Sequence, residues 1–435
     1  MRRSPYGANP ILGRHGARAR QEVLEAARAL FAERGYHDTT VEAIGEACGR
    51  SGAAVYQYFE GKAEIFRVFI DELTCEVLDQ GRRLGQMDEV KRGPEGFAEL
   101  RSRLGALSEV MTRHVTTLAL WPFVEHAEPA LAGTAACFMR GFAEAVRPRL
   151  AASGVPAEQQ LPLAIAMAGM IRWSHFTRIE RVPQLDPRVL DDLLTRVIYS
   201  ALFRLPPEVP VARPAGTATS PVRMPRPVGA RSLNDPTVVP GARRRVTSRG
   251  RGTLDRITAA ATVAFRRHGF RGASISEVAA GAGVSHGSVY TYWPDRSALF
   301  TTLAHEAAVE LAEHIEAAPY GFADAAEGRT WLRRWLELVA AHGAVLHIWT
   351  HEVVHDERLG PFAREMQGYV AAFLDRLLQA SPSRGAVDLR AAHLVLWSLL
   401  TDVPYTHCEQ LRVVPHDEFA DVLSLLVTEG LLGHR

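Results

Sequence analysis

Val23, Ala26, Ala27, Leu30 and Phe31 fall at i, i+3, i+4, i+7 and i+8, the spacing of one apolar helix face, and Gly35 stands where that helix needs a left-handed cap. The same stripe returns as Ile257, Ala260, Ala261, Ala264 and Phe265, closed by Gly269. Residues 31 to 66 match residues 265 to 300 without a gap, so the chain carries two copies of one small helical device. In each copy a hydroxyl residue, Thr40 or Ser274, is placed to cap a short second helix, and Ser274-x-x-Glu277 has the spacing of a capping box. Val41 and Ile44, matched by Ile275 and Val278, face inward. Gly49 and Gly283 make a tight turn, and Ser51 and Ser285 cap a third helix, SGAAVYQYF in one copy and SHGSVYTYW in the other. Two short helices joined by a glycine turn predict helix-turn-helix motifs over 40–59 and 274–293.

The repeat outlasts these motifs. Trp121 and Leu131 have counterparts in Trp349 and Leu359, and Pro183 followed by an apolar-periodic helix matches Pro415 followed by another. Helices are predicted near 99–120, 128–152, 158–180 and 187–204, and again near 328–349, 360–380, 387–408 and 416–432. The fold class expected is therefore all-α, built from two tandem modules.

Composition bounds this picture. A chain of 435 residues exceeds a single core, since domains run to roughly 150 residues. The net charge of +1 announces no nucleic-acid or membrane partner, so such a claim must rest on local features. Cys48, Cys75, Cys137 and Cys408 show no C-x-x-C spacing and fit a reducing cytoplasm. The N-terminus has charge without an apolar run, and the most apolar stretch, residues 161 to 171, is too short to span a bilayer, so a cytoplasmic protein without membrane contact is expected. Residues 206–250 are dominated by proline, glycine and arginine and read as a linker; eight arginines against Glu208 and Asp235 give that segment a net charge of +6.

The third helix of each motif has the chemistry of a DNA contact. Its N-terminal amides and serine hydroxyl suit phosphate oxygens, its small residues let a backbone approach, and its tyrosines can donate to phosphates. The candidate DNA-binding residues are Thr40, Val41, Ser51, Gly52, Ala53, Ala54, Tyr56, Gln57, Tyr58 and Lys62 in the first copy. Those in the second are Ser274, Ile275, Ser285, His286, Gly287, Ser288, Tyr290, Thr291, Tyr292 and Arg296. Lys62 and Arg296 start the fourth helix, where each would set a cation beside the DNA backbone, while Phe59 and Trp293 pin the third helix to the core.

At these residues the chain closely resembles the TetR family of bacterial transcriptional regulators, through an aromatic-x-x-x-Gly-aromatic helix end, a Thr or Ser cap, an Ala-Gly-Val-Ser turn and a Tyr-x-His/Tyr-Phe-x-x-Lys close. The pattern lies at Phe31 to Lys62 and at Phe265 to Arg296. The resemblance implies a three-helix DNA-binding head followed by a larger helical domain that binds a small effector and dimerises through its last two helices. Domains follow as a basic arm (1–16), head one (17–77), body one (78–205), the linker (206–250), head two (251–311) and body two (312–435). The first copy departs from the family pattern with Arg50 where a valine is usual and Ala53 where a glycine is usual. Head one carries 7 basic and 11 acidic side chains, whereas head two carries 6 and 5. Arg2, Arg3 and Arg14 precede head one, and Arg243, Arg244, Arg245, Arg249 and Arg251 precede head two, where a basic arm could enter a minor groove.

One helix-turn-helix contacts little DNA, so such heads work in pairs. Here both can come from one polypeptide as an intramolecular pseudo-dimer, with a homodimer as the alternative, and the unlike helices imply unlike operator half-sites. A regulator whose first head is only a scaffold is the second reading. A small apolar effector could be held by Trp121, Phe142, Met170 and Trp173 in body one, and by Trp349, Trp397 and Tyr405 in body two. Met139, Met167 and Phe176, with Trp335 and Met366, extend the two sets. No cofactor, metal or catalytic residue is expected, although His351, Glu352 and His355 spell H-E-x-x-H, the signature of zinc hydrolases.

Overall fold

The computed structural model describes residues 14–86, 91–203, 248–319, 321–354, 356–411 and 414–434. Nearly all of the N-terminal arm and of the linker lies outside them. Among the described residues there is no strand.

The first module runs through α1 (Arg14–Arg34), α2 (Val41–Ala47), α3 (Gly52–Val55), α4 (Lys62–Gly85), α5 (Gly93–Arg113), α6 (Val115–Ala127), α7 (Thr134–Ala152), α8 (Ala157–Arg181) and α9 (Pro187–Phe203). The second runs through α10 (Ser248–Gly272), α11 (Ile275–Ala282), α12 (His286–Tyr292), α13 (Arg296–Ala317), α14 (Ala325–His347), α15 (Gly360–Ala380), α16 (Leu389–Leu400), α17 (Asp402–Tyr405) and α18 (His416–Ser424). Gly35 (φ 77°) ends α1 and Gly269 (φ 64°) breaks α10, both in the left-handed region where a Cβ is strained.

The repeat is legible down to ring geometry. Phe31 meets Phe66 edge-on at 5.8 Å and 71°, and Phe265 meets Phe300 at 5.4 Å and 81°. Tyr36 and Phe270 complete these triangles, at 5.5 Å from Phe66 and 5.4 Å from Phe300. Each head thus closes on three aromatic rings in offset contact, an arrangement favoured by the ring quadrupoles.

The bodies depart from the predicted helices at definite places. The helix expected over 99–120 breaks at His114. The helix expected over 387–408 stops at Leu400 because Pro404 has no N–H to return to the Leu400 carbonyl, which instead accepts from Trp335 Nε1 at 2.6 Å. Beyond it, residues Thr406–Leu411 are π-wound, as are Ile348–Glu352 and Leu425–Leu431.

The two bodies share one interface. Helix α8 packs on α16, α17 and α18, and α9 packs on the π-wound Leu425–Leu431 segment and on α16. Small residues let the backbones approach: a Cβ on Gly169 would lie 2.9 Å from Val403 Cγ2, and one on Gly430 would lie 3.1 Å from Val197. Across the same seam the Arg181 guanidinium sits 4.8 Å from the Trp397 ring centre, and Arg196 donates to the Ala386 carbonyl. Equivalent helices of the two modules thus meet each other, the relation a two-fold axis gives in a homodimer.

Candidate nucleic-acid interface

Each motif is built from its caps. Thr40 and Ser274 accept from the backbone N–H of Ala43 and Glu277, and Ser51 and Ser285 accept from Ala54 and Ser288. All four capping hydroxyls satisfy helix-start amides, as their spacing predicted. Only the forward half of the Ser274 capping box is present, because the Glu277 carboxylate meets His268 at 3.0 Å and Arg267 at 3.9 Å.

Thr40, Ser51, Ala53, Tyr56 and Gln57 are exposed in head one, and Ser274, Ser285, His286, Gly287, Tyr290 and Thr291 in head two. Tyr56 and Tyr290, at equivalent positions, keep 47% and 40% of their surface open. Gly52, Ala54, Tyr58, Ser288 and Tyr292 are half-buried. Val41 belongs to the core and Ile275 packs against it, so neither offers a side chain to a duplex. Phe59 and Trp293 are fully buried, and Trp293 Nε1 donates to Thr302 at 2.7 Å.

The cations at the start of the fourth helix are placed otherwise than expected. Lys62 Nζ donates to the carbonyls of Tyr36, His37 and Thr39 and sits 4.3 Å from the Tyr36 ring centre. Arg296 donates to the carbonyls of Arg271 and Ala273 and lies 4.7 Å from the Phe270 ring centre. In both heads the cation clasps the turn after the first helix instead of standing out beside the duplex, and burial lowers the Lys62 pKa. The signal for this was in the repeat: an aromatic residue after the capping glycine and a cation 26 positions later, in both copies.

The heads differ where a duplex would be read. The α3 helix spans four residues, continued by single turns through Tyr58, whereas α12 spans seven. Arg50, half-buried, pairs with Glu22 at 2.7 Å, while Val284 at the equivalent position packs on the core. Burial, followed by the charges of Lys62 and of Arg271, the head-two equivalent of His37, lowers the His37 pKa.

Contacts that sequence reasoning missed fix each head to its body. Tyr36 Oη donates to Glu128 Oε1 at 2.7 Å, and burial followed by that carboxylate pushes the phenol pKa upward. In the second module Glu352 Oε2 accepts from the Phe270 N–H at 2.8 Å and lies against Gly269.

Comparison with known proteins matches residues 23–68 and 257–303, the two heads, to the family described as bacterial regulatory proteins, tetR family. The chain thus carries two heads of the TetR type in tandem. It is 35% identical over 98 residues to the HTH-type transcriptional repressor AcnR of Corynebacterium efficiens, covering 22% of this chain and 52% of that protein. It is 32% identical over 93 residues to the HTH-type transcriptional repressor Rv1474c of Mycobacterium tuberculosis, covering 21% and 50%. With the HTH-type transcriptional repressor KstR2 of Rhodococcus jostii it shares 39% over 74 residues, covering 16% and 35%. The chain spans about half the length of the first of these relatives.

In the second TetR-type module a cavity of about 40 Å³ lies between α14, α15, α16 and α17. Trp335, Trp349, Met366, Trp397 and Tyr405, the residues expected there, all line it. His347, His351 and Asp402 add polar groups: His351 Nε2 is 2.9 Å from Asp402 Oδ1, and the His347 ring stacks on Tyr405 at 4.2 Å. In the first module Trp121, Phe142, Met170 and Trp173 are core residues. Trp121 Nε1 donates to Thr134, and Trp173 crosses the interface to stack on His351 at 5.5 Å.

His351 is engaged by Asp402, Glu352 turns to head two, and His355 lies outside the described residues. No described helix is long and apolar enough to cross a membrane.

Proposed function

We propose that this chain is a cytoplasmic, sequence-specific DNA-binding repressor whose two heads engage one operator from a single polypeptide. The observation that carries this reading is the pair of exposed tyrosines, Tyr56 and Tyr290, on serine-capped helices whose bodies are joined by one helical interface. The relatives named as repressors support the direction of regulation. Because α3 and α12 differ in length and side chains, the operator has unlike half-sites.

Ligand response belongs to the same proposal. The cavity holds only a few waters at its present size, so a small apolar ligand with one hydrogen-bonding group must displace its walls. His351 is in that wall, and its neighbour Glu352 holds the Phe270 amide of head two. A ligand favouring the displaced wall would shift head two, and DNA binding would oppose that ligand by the same factor.

The short α3 favours a second reading, in which head two alone reads bases and head one is a scaffold. Footprinting on DNA flanking the chain's own gene, with Tyr56→Phe and Tyr290→Phe, separates the two. A hydroxyl bonded to phosphate contributes about 1.5–3 kcal/mol, so each change should weaken binding roughly 10- to 100-fold. An effect from Tyr290→Phe alone establishes the scaffold reading, and an effect from neither contradicts both.

A further inference from the structure

His407, Cys408 and His416 each bring a ligating atom within 4.8 Å of the others, at the edge of the second body. His407 and Cys408 come from the π-wound segment that follows the Pro404 break, and His416 opens α18. His407 and Cys408 are buried and His416 is exposed, so the cluster has a closed side and a solvent side. We propose that these three residues bind a borderline-soft divalent cation of the zinc type.

Three observations support that chemistry. Two imidazoles and a thiol contain no carboxylate, a donor set suited to zinc rather than to calcium or magnesium. The sulfur of Cys408 lies 4.0 Å from His416 Nδ1. Tetrahedral zinc sets such atoms about 3.5 Å apart, so this pair closes with a shift of about half an ångström, and a separation at the 4.8 Å limit of the cluster with a shift of about one. His407 Nδ1 is buried without a hydrogen-bond partner while the ring stacks on Phe419 at 3.8 Å, which fixes the imidazole plane and leaves a nitrogen unsatisfied.

Binding deprotonates the Cys408 thiol, the proton passing to solvent, and three protein ligands leave a fourth position on the His416 side for water. The ion would tie the π-wound segment to the first turn of α18. Since α18 packs on α8 of the other module, metal binding would stiffen the interface between the bodies. This site is independent of the DNA reading and of the cavity.

The test uses the full chain stripped of metal and titrated with cobalt(II), whose thiolate complexes absorb by charge transfer, followed by zinc(II) in competition. One cobalt per chain is expected, with a thiolate band that zinc bleaches. Cys408→Ser should abolish the band, and His416→Ala, at an exposed position, should weaken binding at least tenfold while circular dichroism stays unchanged. Zinc should raise the melting temperature of the parent chain, and that of His416→Ala by less at the same zinc concentration. Absence of the thiolate band in the parent chain overturns the proposal. So does binding that His416→Ala leaves unaltered, which would place the ion elsewhere among the 17 histidines.

Discussion

Lys62 gives its three donors to carbonyl oxygens at the turn after α1, and Arg296 donates to two, those of Arg271 and Ala273, at the corresponding place in head two. Removing the charge leaves those carbonyls short of donors, so Lys62→Met should destabilise head one by about 1–3 kcal/mol, read as faster amide exchange over residues 18–77. A phosphate contact would instead lower the salt slope of DNA binding by about one unit with exchange unchanged. His407 offers a second residue-scale test. Burial and the neighbouring His416 push its pKa down to about 4. The unfolded chain takes that proton near pH 6.5, so the folded state loses stability as pH falls from about 6.5 to about 4. The urea midpoint of metal-free protein should drop between pH 7 and pH 5, and His407→Gln should flatten that dependence.

At the scale of elements, what was legible in the sequence was what is local. Caps at Thr40, Ser51, Ser274 and Ser285, stops at Gly35 and Gly269, and the helix at Gly360–Ala380 follow from neighbours a few residues apart. What escaped depends on partners far along the chain. The break after Leu400 could be read from Pro404, but not that Trp335 would take the freed carbonyl. Likewise no spacing pairs Glu352 with Phe270, or Glu128 with Tyr36. The body-two aromatics meet at the cavity because large side chains recur on converging helices, while those named in body one are buried. Trp335→Phe keeps most of the ring and deletes its N–H, leaving the Leu400 carbonyl unsatisfied. It should cost about 1–3 kcal/mol and lower the melting temperature measurably.

Over the whole molecule, the proposed pseudo-dimer rests on the seam between the two bodies of one chain. Gly169 and Gly430 make the seam close, so bulk there is expected to open it without touching either head. Gly169→Leu should cost about 1–3 kcal/mol by overpacking against Val403 and should weaken operator binding, since both heads then lose their fixed separation. An unchanged affinity would mean that the heads act independently. The most direct test of the intramolecular pseudo-dimer is the mass of the purified chain by multi-angle light scattering, across a range of concentrations, free and bound to an operator duplex. One chain of 47.8 kDa, alone and again per duplex, is the expected result. A species of twice that mass at every concentration would contradict it.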